Sequence, residues 1–271
     1  MKKILFAFSL LITGASQLSA QILYSEDFDN IPGPTAGGVG TYVMAPGMLL
    51  RNVDNRTPDA QVSYVNEAWE RREDFGQNVV DSCAFSNSYY SPVGAANDFM
   101  WTPVIGPITA NTELSWNAKT YDPSYPESYE VRIMTVAPTG GTGVIGNQLT
   151  SSTVIFSTAA EPASWTSHVV SLAAYSGQSV YIGFRNVSND KFLLVVDDIL
   201  VQVLLMYDAQ LLSADATEYT SEPVSQRTPN IISGVVRNNG LNALTNVQLQ
   251  LTVFDGAMTQ IYTNSSPVLS T

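Results

Sequence analysis

The run LLVVDDILVQ, residues 193–202, sets two adjacent carboxylates inside an otherwise apolar stretch. Successive side chains of a strand point to opposite faces. Strict alternation therefore groups Asp197 with Leu193, Val195, Ile199 and Val201, and Asp198 with Leu194, Val196, Leu200 and Gln202. Both faces are apolar, so both acids cannot simply face water. A buried carboxylate without a partner is costly and demands a counter-charge. Arg132 and Arg185 are the protein cations that could serve, but cations are scarce in this chain. A bound metal ion is the favoured partner.

The surrounding sequence reads as strands. ELSWNA (113–118) alternates Leu114, Trp116 and Ala118 with Ser115 and Asn117; YEVRIMTV (129–136) and VYIGFR (180–185) alternate in the same way. Between them lie NIPGPTAGGVG (30–40), YDPSYPES (121–128) and APTGGTG (137–143), the punctuation of an all-β sandwich or barrel. The one stretch with helical character is a turn near VNEAWERRED, residues 65–74.

The chain opens with a basic start at Lys2 and Lys3, an apolar run over 4–12 and small residues up to Ala20. This is the pattern of a secretory signal peptide, cleaved after Ala20 or Ser16 and too short for a membrane anchor. No Cys follows either point, as a lipoprotein leader would require. Loss of Lys2 and Lys3 takes the formal net charge from −12 to −14. So acidic a surface argues against nucleic acid and anionic membranes and suits a protein that binds cations. The single Cys83 allows no intramolecular disulfide. The apolar run near 192–207 is broken by its central acids, which speaks against an integral membrane span.

Beyond residue 203 the composition changes. MYDAQLLS (206–213) begins a new strand; IISGVVRNNG (231–240) and LTNVQLQLTVFDG (244–256) alternate and are joined by an Asn-Gly turn. These read as the first strands of an immunoglobulin-like sandwich, with too few strands before Thr271 to complete one. The expected organisation is a signal peptide over 1–20, an adhesin-like sandwich over 21–203 and a partial immunoglobulin-like domain over 204–271, in a longer polypeptide.

For chemistry, three acidic clusters stand out: Glu26, Asp27 and Asp29; Asn97 and Asp98; and Asp197 with Asp198. Calcium takes six to eight oxygen ligands from carboxylates, amides and main-chain carbonyls, so such clusters suffice if the fold brings them together. His168 is the sole histidine and reads as a solvent-facing strand residue; no nucleophile signature surrounds Cys83 or any serine. No enzyme is expected. Tyr89, Tyr90, Tyr121 and Tyr125 fall in or beside loops, where such rings stack on sugars or anchor protein contacts.

The order EDFDN, then SNSYYSPVGAANDFMWTPVI (86–105), then YIGFRN (181–186) and the Asp197-Asp198 pair resembles the cleaved-adhesin, or choice-of-anchor J, module of gingipain haemagglutinin–adhesin regions and other secreted Bacteroidetes proteins. The resemblance spans about residues 22–203. It implies a jelly-roll β-sandwich with structural calcium, and its matching positions are Glu26, Asp29, Asn97, Asp98, Asp197 and Asp198. The segment over 37–59 departs from the family's loop, which weakens Asp54 and Asp59 as further ligands. The resemblance also implies a secreted or surface-attached, non-catalytic module that binds glycans or host and matrix proteins, with export of the type IX kind. The rival reading is an accessory domain of a secreted peptidase or glycosidase whose catalytic part lies outside this chain.

Overall fold

The computed structural model describes residues 5–12, 21–31, 44–65, 67–74, 78–215, 233–245 and 247–268, and these described residues form sixteen strands and one 3-10 turn. It divides into two units: Gln21–Val203, and Met1–Ala20 together with Leu204–Thr271. Strand β1 (Leu5–Ile12) belongs to the second unit. The rest of the expected signal peptide lies outside the described residues.

The unit over Gln21–Val203 is a sandwich of two antiparallel sheets. Its strands are β2 (Gln21–Glu26), β3 (Leu49–Asn52), β4 (Glu70–Asp74), β5 (Asn78–Asn87), β6 (Asp98–Trp101), β7 (Thr112–Thr120), β8 (Tyr129–Met134), β9 (Thr153–Thr158), β10 (Thr166–Ser171), β11 (Tyr181–Asn186) and β12 (Leu193–Val203). One sheet runs β10-β7-β12-β5-β4, with β2 also on β12; the other runs β3-β6-β11-β8-β9. Inward side chains of both sheets make the main core, which includes Leu114, Trp116 and Ala118 from β7 and Val131, Ile133, Ile182 and Phe184 from β8 and β11. Full burial of each large apolar side chain stabilises by about 1.5–3 kcal/mol. Residues 70–74, expected as part of a helical turn, are instead an edge strand paired with β5 from Glu70↔Phe85 onward.

The outer faces are covered too. On the β5–β12 side, Val62, Val65, Cys83, Phe85, Leu193 and Val195 form a second cluster under Tyr64, Tyr89, Tyr121, Trp165 and Phe192. On the other sheet, Trp101 packs outward with Phe99 and Met134. Gly183 is opposite Trp101, and a Cβ there would lie 2.5 Å from the indole. The glycine of YIGFRN is what lets the ring lie flat on β11.

The alternation expected along residues 193–202 breaks at Asp198. Asp197 pairs with Asn117 and Leu200 with Ser115, so Asp198 and Ile199 together oppose Trp116. This is a β-bulge, one extra residue in β12. Asp198 takes φ +51, a left-handed conformation that Asp tolerates better than bulky residues. The insertion resets the parity: Leu194, Val196, Ile199 and Val201 all enter the main core, while Leu193 and Val195 face the outer cluster. The strict two-face grouping therefore does not hold. On its other edge β12 pairs with β5 up to Val196↔Ala84 and with β2 from Ile199↔Glu26. The bulge is where β12 changes partners.

In the second unit, β13 (Ala209–Asp215) pairs with β14 (Ser233–Asn238), and β15 (Val247–Phe254) lies between β1 and β16 (Gln260–Ser265). The Asn239-Gly240 pair does not close a hairpin between β14 and β15 as expected. Asn239 N–H donates to Asp208 O at 3.0 Å, and the two strands enter different sheets.

Candidate functional site

The sequence-selected acids fall into separate places, two of them clusters. The first lies at the partner change of β12. Asp197 is 5 % exposed; its Oδ1 accepts the Asp198 N–H at 2.7 Å and its Oδ2 faces the Cys83 thiol at 3.5 Å. Burial pushes its carboxyl up to about 8 against the hydrogen bond from Asp198 N–H, with the Asp198 and Asp81 charges adding to the rise. No arginine balances it: Arg132 and Arg185 both pair with Glu130. Asp29 reaches β5 through Ser82 N–H, which donates to its Oδ1 at 2.8 Å. Burial and the charges of Asp29, Asp74 and Asp198 raise the carboxyl of Asp81, offset by Lys119.

Two residues of this cluster carry no local sequence signal. Asp74 and Lys119 form a buried ion pair at 2.7 Å, with Lys119 Nζ also over the Trp165 ring at 4.4 Å. The Asp74 and Asp81 carboxylates and the Cys83 thiol lie within 4.8 Å of one another. Burial and the neighbouring carboxylates push the Cys83 thiol up, away from a nucleophilic thiolate.

The second cluster surrounds Asp98. It is 2 % exposed; Oδ2 accepts the Tyr90 hydroxyl at 2.8 Å, and Oδ1 is buried without a hydrogen-bond partner among the described residues. Burial raises its carboxyl well above the usual range, and the charges of Asp54 and Glu67 add to this. Asp54 Oδ2 accepts the Asn97 N–H at 2.6 Å and lies 3.4 Å from the Tyr90 hydroxyl. The Asn97 side chain is turned elsewhere, its Oδ1 accepting Arg185 Nε at 2.8 Å. Glu26 is in neither cluster's hydrogen bonding: its Oε1 accepts Phe28 N–H at 2.8 Å, and Arg71 is its nearby cation. The five acids and one amide expected as metal ligands thus lie apart: Asn97 and Asp98 are in the second cluster, and Glu26 and Asp198 line one groove.

The remaining expectations resolve by burial. Tyr90 is 4 % exposed and its hydroxyl is spent on Asp98 and on Asn87 O, so its ring offers a ligand no face. Tyr89 and Tyr121 pack on the outer cluster, and Tyr125 is half exposed. His168, expected to face solvent, points inward: its ring stacks on Trp116 at 5.2 Å and its Nε2 lies 2.9 Å from the buried Glu161. Trp116, Tyr129 and Phe156 surround the half-buried imidazole, and Val169 takes the exposed position. His168 and Cys83 lie on opposite faces of their sheet, so no Cys–His dyad forms.

A groove of about 650 Å³ opens beside the bulge. Ser25 of β2 and Asp27 and Asn30 after it form one wall; Ser115 and Asn117 of β7, Ser167 of β10, and Asp198 and Leu200 of β12 form the rest. The volume is in the range of ligand pockets. Asn117 Nδ2 donates to Asp198 Oδ2 at 2.7 Å, which fixes one oxygen of the carboxylate within the groove lining.

No known protein family and no curated protein matches the sequence. Among solved structures, the chain is similar to the K3 cleaved adhesin domain of Lys-gingipain from Porphyromonas gingivalis W83, at 17 % identity over 68 % of this chain and 99 % of that one, with a TM-score of 0.46. It is also similar to the C-terminal family 22 carbohydrate-binding module of Clostridium thermocellum Xyn10B, at 14 % identity over 67 % and 94 %, with a TM-score of 0.38. A third is the Stig cyclase Fisc from Fischerella sp. TAU, at 13 % identity over 68 % and 98 %, with a TM-score of 0.40. Likenesses at this level assign no residue a role. Among the described residues no helix is long and apolar enough to cross a membrane.

Proposed function

We propose that the chain is a non-catalytic, calcium-stabilised binding module of an exported or surface-attached protein, and that it engages glycans or host and matrix proteins through the groove beside β12. The reading is carried by the groove itself: a recess of ligand size whose polar side chains come from four neighbouring strands and the turn after β2. The reactive residue types are placed for packing instead, with the half-buried His168 and the buried Cys83 held apart.

The residues fit calcium at Asp98 better than at the bulge. Asp54 and Asp98 supply oxygen alone, one oxygen of Asp98 is buried without a hydrogen-bond partner, and Glu67 adds charge nearby. Calcium there neutralises carboxylates that otherwise repel, and Asp54 and Asp98 would hold it between the loop after β3 and the start of β6. The bulge cluster already contains the Lys119 ammonium and a thiol, which a hard cation does not favour. The leader over 1–20 and type IX export belong to this same reading and rest on the sequence pattern.

Thermal melts in EGTA and across a calcium titration test the cation. Calcium at about a hundred times its dissociation constant adds roughly 2.7 kcal/mol, and Asp98→Asn removes the shift. Glycan and matrix-protein arrays probed with the wild type and with Asp198→Asn test the groove. Equal binding by both proteins refutes it.

A further inference from the structure

The groove's charged groups are of one sign. Asp27, Asn30 and Asp198 are exposed, and one amide N–H of Asn117 is committed to Asp198. What remains is the charge of the Asp27 and Asp198 carboxylates, the Asn30 carboxamide, the second amide N–H of Asn117 and the hydroxyls of Ser115 and Ser167. Carboxylates accept only, while amides and hydroxyls do either, so the charged groups of the groove favour a cationic donor. Among the described residues that line the groove, none is basic. A neutral sugar would call for a flat aromatic platform as well. The one aromatic at the groove, Trp116, is 1 % exposed and turns its ring into the core.

We propose that this groove receives lysine or arginine side chains from a basic segment of a partner protein, so that of the ligands named above a protein is the one that fits. The inference rests on the reading of the groove as the binding site. An ammonium or guanidinium group between Asp27 and Asp198 would gain charge-assisted hydrogen bonds. The chain's formal net charge of −12 would speed the encounter with such a segment.

The test is fluorescence anisotropy with a fluorescein-labelled hexa-arginine peptide at physiological salt, with xylohexaose as the neutral probe in parallel calorimetry. Asp198→Asn keeps a residue that tolerates the left-handed backbone, and its melt checks that it folds. The comparison is Glu73→Gln, an exposed acid on the far edge strand β4 that removes the same charge. The expected result is a Kd raised about tenfold by Asp198→Asn and less than twofold by Glu73→Gln. Equal losses in the two variants overturn the proposal, because they mark diffuse attraction to an acidic surface. Xylohexaose binding that Asp198→Asn abolishes, with no peptide binding, overturns the basic-segment inference and leaves the groove as a binding site. Binding of neither probe removes both.

Discussion

Replacing Glu127 by glutamine should reverse part of this protein's pH dependence. The Glu127 side chain is fully buried. Its Oε1 accepts Ser88 Oγ–H at 2.8 Å and Phe192 N–H at 2.7 Å, which ties the end of β5 to the start of β12. Burial outweighs these hydrogen bonds, and those of Ser188 and Asn186, and pushes its carboxyl from 4.5 up to about 7. The folded protein thus holds a proton that the unfolded chain releases above pH 4.5. Stability from this group is complete below 4.5, declines as pH rises, and is gone above 7. The displacement corresponds to about 3 kcal/mol at 1.36 kcal/mol per pH unit. Glutamine stays neutral, so the variant lacks this decline. Urea denaturation of both proteins in EGTA at pH 4, 5.5, 7 and 8.5 isolates it, because the other raised carboxyls, Asp98 and Asp197 among them, are common to both. The stability difference should shift in favour of the Glu127→Gln variant by about 3 kcal/mol between the extremes. A difference that is flat with pH, or that shifts toward the wild type as pH rises, refutes the argument.

Two further perturbations probe the packing around the site. Gly183→Ala places a Cβ 2.5 Å from the Trp101 ring and should destabilise by about 1–3 kcal/mol, read as a lowered urea midpoint with an altered tryptophan emission. Lys119→Met leaves the buried Asp74 carboxylate without its ammonium and should cost about 3–5 kcal/mol, read as a lowered urea midpoint at neutral pH.

The acids explain why only part of the site is legible in the sequence. Asp197 stands out by its apolar neighbours, and it is indeed buried. Its partners lie far along the chain: Cys83 is 114 residues away, and the Lys119–Asp74 pair beside it spans 45. A contact between distant residues leaves no periodic trace in either segment. The loop that carries Asp54 departs from the family pattern and so gives it little weight, yet the fold sets it against Asp98.

Local alternation determined the all-β class, and strands such as β7, β8 and β11 follow the pattern read from ELSWNA, YEVRIMTV and VYIGFR. That signal is intrinsic to each segment, because a half-buried strand must alternate whatever it pairs with. Tertiary structure alone decided which face each residue took after Asp198, since a one-residue bulge reverses parity without changing composition. It likewise turned His168 inward and Val169 outward. Register and partner choice are set by the sum of contacts across the sheets, and no segment holds that sum by itself.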